Sequence, residues 1–497
     1  MRNRHDSPLE LGSVAMRSLV DQAMERIVAH IESLPAQPVS DNDGGLELAR
    51  SLAEPLPESG TPFGDLLELL FERAVPCTYN TASAGYLAYI PSGGLFHSAV
   101  ADLIADSVNR YVAVWVAAPG LVQLEANVVR WLCEIVGYPP AAGGFLTSGG
   151  SLANLTAVVT ARREKLPEQF LEGTLYASDQ VHHSVLKAAS LAGFPARNVR
   201  SVPVDERFRI RVQSLERQIA ADLAAGREPF LIVANAGSTN TGAVDDLEAL
   251  ADVAERHRLW LHADAAYGGF FMLTERGRAT LRGLSRADSI TLDPHKGLFL
   301  PYGNGSLLVR DVSALRRTHS LRADYMPTMQ EDAERIDFCE ISPELSRDFR
   351  ALRAWLPIKM HGIDVFRRNL DEKLDLARWA ADELAAVPGV VIVAEPQLSL
   401  VVFRLEPPGL GAAELNRLNR EFLEKINRRQ RVFLTGTSLG GGPDRPGDFA
   451  LRICVLSFRT HRDRMEMGLE DIRQTAAELT AGLATAANES VAVGSEG

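Results

Sequence analysis

The sequence predicts an α/β chain. It should hold a mostly parallel central sheet with helices on both faces, a smaller C-terminal α+β unit and an N-terminal helical arm. Two observations lead there. From about residue 82 onward, short apolar runs alternate with helical patterns, as strands joined by crossover helices do. The composition is also ordinary for a globular protein, with 46% hydrophobic and 23% charged residues over 497 positions. A chain of that length buries a large core without a disulfide or metal staple.

The elements follow in order. Residues 9–34 place Val14, Leu19, Val20, Ala23, Met24, Ile27 and Val28 largely at three- and four-residue steps, which predicts a helix. Residues 35–60 are rich in Pro, Gly, Asp and Ser and read as an extended segment, and a second helix should cover 62–73. Little here can close a core, so residues 1–80 read as an arm. Buried strands are expected at 144–147, 230–233, 259–262, 289–292 and 306–309, with helices at 152–163 and 247–257 among them. A long helix over 349–384 should lead into strands at 389–393, 399–404, 431–435 and 450–455. Domain limits are set at 1–80, 81–355 and 356–497.

Charge narrows the function. Lys and Arg number 52 and Asp and Glu 64, a net charge of −12, which disfavours wrapping nucleic acid or an anionic membrane. The four cysteines, Cys77, Cys133, Cys339 and Cys454, are far apart and show no metal-ligand spacing, so no metal site is expected and reduced thiols in the cytoplasm are. No stretch reads as a secretory signal or a membrane span.

Four pieces can carry chemistry. Thr147-Ser148-Gly149-Gly150-Ser151-Leu152-Ala153-Asn154 lies between a strand and a helix. It can be a plain capped turn, or a seat where glycines and helix amides hold a phosphate. Asp179-Gln180-Val181-His182-His183-Ser184 opens a helix, and its imidazoles either cap that helix or lie on a planar ligand. Leu259–Gly269 carries Asp264 at the end of an apolar strand, where α/β folds place ligands. Buried there, the carboxylate needs a cationic partner. In Asp293-Pro294-His295-Lys296-Gly297 a strand runs into a turn that presents a lysine. That lysine can be a surface residue or, if buried, a nucleophile toward a carbonyl. The 32 residues from Asp264 to Lys296 leave room for one crossover.

Together these motifs resemble the group II pyridoxal-phosphate-dependent decarboxylases, which act on aromatic amino acids, histidine and glutamate. The likeness is clear over about 85–362. It implies the fold type I architecture, pyridoxal phosphate (PLP) as cofactor, and a homodimer with its active site at the interface and the arm clasping the partner. By the same resemblance Lys296 bonds the cofactor aldehyde, Asp264 pairs with the pyridinium nitrogen and His182 stacks on the ring. Ala266 lies beneath the ring, Gly150, Ser151 and His295 contact the phosphate, and Thr239 faces the cofactor. Tyr89, Ile90, Pro91 and Ser92 line the substrate side-chain pocket. The implied reaction is decarboxylation of an amino acid, with an aromatic substrate favoured by the apolar wall of Ile90 and Pro91.

The sequence also departs from the pattern. Many relatives protonate Cα with a loop tyrosine, whereas the matching position here is Phe338, with Tyr325 as the other candidate. Relatives with phenylalanine there can divert the reaction to oxygen and release an aldehyde. Gly297 stands where a Trp often follows the lysine, and Asp348 where an Arg is usual. Asp293 stands where some relatives carry Asn or Ser, and its role is open. The competing expectations are an aldehyde synthase, a decarboxylase of glutamate or diaminobutyrate, an aminotransferase or desulfurase, and a PLP-binding regulator without chemistry.

Overall fold

Seven strands form the large sheet of the computed structural model, which describes residues 9–320, 334–441 and 447–494. They are β1 (Gly143–Thr147), β2 (Gly173–Ser178), β3 (Val199–Val202), β4 (Glu228–Asn235), β5 (Trp260–Asp264), β6 (Ser289–Leu292) and β7 (Gly305–Val309). Their order is β1-β7-β6-β5-β4-β2-β3. The pairs from β6 through β3 are parallel, while β7 runs antiparallel to both β6 and β1. The sheet is therefore parallel except for one reversed strand. Both faces are buried, which is why β2, β5, β6 and β7 are inaccessible along their whole lengths. The five strands foreseen from apolar runs are present. β2 and β3 were not foreseen, since Gly173-Thr174 and Arg200-Ser201 break their apolar character.

A second sheet follows, entirely antiparallel, in the order β10-β11-β9-β8. Its strands are β8 (Val390–Ala394), β9 (Leu400–Leu405), β10 (Thr435–Leu439) and β11 (Asp448–Cys454). Alternation along β9 splits its side chains between two cores. Leu400 and Val402 join the core of the large sheet. Val401, Phe403 and Leu405 join the core under the helices Ala412–Arg428 and Ile363–Ala385. The small unit is thus clamped to the large one through one face of its sheet.

Three expectations change. The long helix is two, Ala351–His361 and Ile363–Ala385. They meet at Gly362, whose φ of 73° and ψ of 159° suit almost only glycine and end the first helix. The strand expected at 431–435 begins only at Thr435, and the chain before it makes an isolated bridge from Phe433 to Tyr86. The segment 35–60 contains a short helix, Gly45–Ser51.

The arm is helical, as foreseen. Its helix Ser13–Ser33 buries no residue in this chain. It rests on the helical stretch Leu69–Ala74 through an ion pair of Arg26 with Glu72 and an edge contact of His30 with Phe71. Val14 is 81% exposed and Leu9 93%.

Candidate active site

Parallel strands deliver their C-terminal ends to one edge of the sheet, and that edge carries the chemistry. Asp264 is the last residue of β5, aligned with Asn235 on β4 and Thr291 on β6. The loop after β1 holds Ser148, Gly149, Gly150 and Ser151, the loop after β2 holds His182, and the turn after β6 holds Asp293, His295 and Lys296. All of them line one cavity of about 260 Å³, together with Asn154, Thr239, Ala266 and Tyr267. A larger cleft of about 640 Å³ lies around Asp245, Arg282 and Gln397, but its lining contains no lysine, histidine or cysteine.

Lys296 sits on the single turn Pro294–Gly297, which Pro294 opens with its ring at the first helical position. Its Nζ lies 2.9 Å from Asp293 Oδ2. Burial draws the ammonium down, but the charge and hydrogen bond of Asp293, joined by the charge of Asp264, win and hold it above the ordinary lysine value. Asp293 therefore has a partner in the lysine itself. Its second oxygen, Oδ1, is buried without a hydrogen bond.

Asp264 is buried. Its Oδ1 accepts the Ala266 amide at 3.2 Å and its Oδ2 accepts the Asn154 carboxamide at 2.8 Å. His182 caps the helix His183–Leu191, with Nδ1 accepting the Ser184 amide at 3.2 Å. Burial holds its imidazole below the usual histidine range, so it is neutral near pH 7. His295 is fixed by a 2.6 Å contact of Nδ1 with the Asn304 carbonyl.

Beside the lysine the helix Gly150–Lys165 begins with no side-chain cap. Its first amides are free to meet an anion, and Gly149 and Gly150 keep the approach open. A Cβ on Gly150 would stand 3.1 Å from Asp293 Oδ2 and 3.4 Å from the Ala266 Cβ, filling the floor of the cavity. An amine, a buried carboxylate, a neutral imidazole and an anion seat around one small cavity fit PLP, with the unpartnered Asp293 oxygen as the one feature the fit does not use.

The profile described as "Pyridoxal-dependent decarboxylase conserved domain" matches residues 48–406. The chain belongs to the pyridoxal-dependent decarboxylases. The aromatic-L-amino-acid decarboxylase of Bacillus atrophaeus is 35% identical over 474 residues, spanning 95% of this chain and 98% of that protein. Among solved structures, Oryza sativa TDC with PLP and tryptamine has a TM-score of 0.89 at 27% identity, covering 95% of this chain and 99% of the other. The Rhodiola rosea 4-hydroxyphenylacetaldehyde synthase has a TM-score of 0.85 at 26% identity, covering 95% and 99%. The chain is a PLP-dependent amino-acid decarboxylase of fold type I.

Not every expected residue reaches the cavity of this decarboxylase. Tyr89, Ile90, Pro91 and Ser92 lie outside its lining. Tyr89 is exposed at φ 50°, and Ser92 donates to the Leu300 carbonyl at 3.2 Å. Phe338 is wholly buried, with the Arg347 guanidinium 4.8 Å above its ring. Tyr325 lies outside the described residues.

The departures acquire physical reasons. A Cβ on Gly297 would stand 2.5 Å from the Cβ of Phe270, so the aromatic ring at 270 fills the space a larger residue would need. Asp348 pairs with Arg350 at 2.7 Å.

Two residues at the site went unnoticed in the sequence. Arg452, in β11, donates to the backbone carbonyls of Thr239 and Asn240 and ties the small sheet to the cavity rim. Its signal was a lone charge inside the apolar run Ala450–Cys454. Asn154 lies three residues beyond Ser151, where the sequence suggested no role for it. Its signal was a polar side chain on the small-residue face shared with Ala153, Ala157 and Ala161, all buried.

Proposed function

We propose that this decarboxylase acts on an aromatic L-amino acid, releasing CO2 and the corresponding amine, as a cytoplasmic homodimer. The observation that carries the reading is the meeting of Lys296, Asp264 and His182 in one cavity beside an uncapped helix N-terminus. The aromatic preference is supported by the relative from Bacillus atrophaeus, similar over nearly the whole of both chains. The homodimer is supported by the arm helix, on which Val14, Met16, Val20 and Val28 stay exposed in its own chain. The cytoplasm is supported by four cysteines that are all free.

Bound PLP supplies an electron sink for the pair left when CO2 departs. The chain's part is placement and charge. Lys296 would hold the cofactor and supply the amine that the substrate amine replaces. Asp264 would keep a proton on its ring. His182 and Ala266 would hold the ring in place. Gly150, Ser151 and His295 would hold the phosphate, with Thr239 at the rim. Tyr89, Ile90, Pro91 and Ser92 would wall the substrate side chain. Phe338 carries no exchangeable proton, so the proton for Cα comes from another group.

The test uses PLP-loaded protein against an amino-acid panel. Tryptophan, tyrosine, phenylalanine and dihydroxyphenylalanine should release CO2 in step with amine, without peroxide. Faster turnover of glutamate, diaminobutyrate or cysteine sulfinate overturns the aromatic reading. Stoichiometric peroxide and ammonia make the enzyme an aldehyde synthase instead. In Lys296→Ala, borohydride reduction should leave no cofactor on the chain, and decarboxylation should fall by several orders of magnitude.

A further inference from the structure

Beneath the cavity lies a chain of polar groups that the reaction does not touch. On β5 the period of two puts Trp260, His262 and Asp264 on one face, and on the neighbouring β6 it puts Ser289 and Thr291 on the same face. The helix Gly150–Lys165 lies over that face and lowers Asn154 into it. His262, Ser289, Thr291 and Asn154 are all wholly buried.

The hydrogen bonds admit one arrangement of donors. A carboxylate only accepts, so the Asn154 edge toward Asp264 is its Nδ2, at 2.8 Å. The second Nδ2 hydrogen goes to Ser184 Oγ at 2.8 Å. That leaves Asn154 Oδ1 as an acceptor, for the Thr291 hydroxyl at 2.7 Å and for His262 Nε2 at 3.0 Å. His262 therefore carries its hydrogen on Nε2 and accepts from Ser289 Oγ on Nδ1 at 2.8 Å, while Ser289 in turn accepts the Trp260 indole at 2.8 Å. On the other branch Ser184 has received from Asn154, so it donates its own hydrogen to His182 Nδ1 at 2.8 Å. Each of these hydrogen bonds then has its donor and its acceptor. A buried network satisfied in this way fixes orientations that a single bond cannot.

One carboxamide thus holds Asp264 directly and reaches His182 through Ser184, the two groups that would hold a bound cofactor ring. We propose that Asn154 is a positioning residue that sets Asp264 and His182 as a unit, orienting the carboxylate directly and the imidazole through Ser184. It also selects the His182 tautomer with hydrogen on Nε2, since Nδ1 is occupied by two donors. This inference rests on the PLP reading above.

The test compares PLP-loaded wild type with Asn154→Ala and Thr291→Val. Borohydride reduction of the wild type must fix PLP to Lys296, and absence of that adduct overturns the cofactor reading itself. Given the adduct, Asn154→Ala should raise the PLP Kd by ~10-fold or more. It should also change the visible circular dichroism of the bound ring, which reports how the ring sits in the site. Thr291→Val removes one of the two anchors of the amide and should move both readouts the same way, with the Kd rising about threefold. A merely structural Asn154 would lower thermal stability and leave the dichroism of the bound ring unchanged. Wild-type Kd and dichroism in Asn154→Ala overturn the inference. If that variant does not fold, the same result in Thr291→Val overturns it.

Discussion

Asp293 decides when Lys296 can react. The amine attacks an aldehyde only when neutral, and the 2.9 Å ion pair keeps it charged above the ordinary lysine value. Asp293→Asn removes the charge and leaves the burial, so the lysine value should fall. The pH profile of PLP capture by the cofactor-free protein should then move to lower pH, with faster capture near neutrality. Stopped-flow absorbance at several pH values checks this, and an unmoved profile means the pair does not govern capture. The residues of this chemistry were legible because each one interrupts a pattern. Asp264 ends an apolar strand, and Lys296 follows a Pro that forces a turn. Asp293 was legible as a residue but not as a partner, because its contact depends on where one turn of helix aims two side chains.

The strand β5 illustrates both limits at the scale of an element. Its apolar character identified it in the sequence, yet Trp260, His262 and Asp264 also alternate with Leu261 and Ala263, and that alternation marks a polar face. The helix that covers this face comes from about a hundred residues earlier, and no local pattern announces the pairing. Burial there has a cost that depends on pH. It holds His262 down to about 4, while an imidazole in the unfolded chain titrates near 6.5. The unfolded chain therefore binds the extra proton first, and stability should drop as pH falls from about 6.5 toward 4, by up to ~3 kcal/mol from this group. His262→Gln should be less stable than wild type at pH 7 and lose less between pH 7 and 5, as urea midpoints at the two pH values would record. A shared slope would mean that the buried imidazole does not control the acid limb.

The junction of the two helices at 362 was missed for a different reason. One apolar period runs through both, and only the positive-φ backbone of Gly362 separates them. A Cβ there meets nothing within 4 Å, so Gly362→Ala should cost only the backbone strain, about 1–3 kcal/mol. A chemical-denaturation midpoint reads that loss, and activity per folded molecule should be unchanged.

Across the whole molecule, the two sheets act as one body because single residues cross between them. Tyr267, just past Asp264, meets Ser399 through its hydroxyl at 3.0 Å and accepts the Ser399 amide at 2.9 Å. Arg452 returns the link from β11 to the rim of the cavity. What the chain leaves unfinished is its arm. A helix of 21 residues without one buried side chain gains little on its own, since helical stability in proteins comes from packing. Val14, Met16, Val20 and Val28 are exposed along it, and a second copy of the chain would cover them. Removing residues 1–24 leaves Val39 and the bridge from Ser40 to Tyr79 in place. The large and small sheets should therefore still fold, with a normal far-ultraviolet spectrum. Sedimentation should nonetheless show a shift from dimer toward monomer, and decarboxylation should fall in step with the dimer fraction if the second copy completes the site. Full activity in a truncated monomer would mean that one chain completes its own site and that the arm serves some other contact.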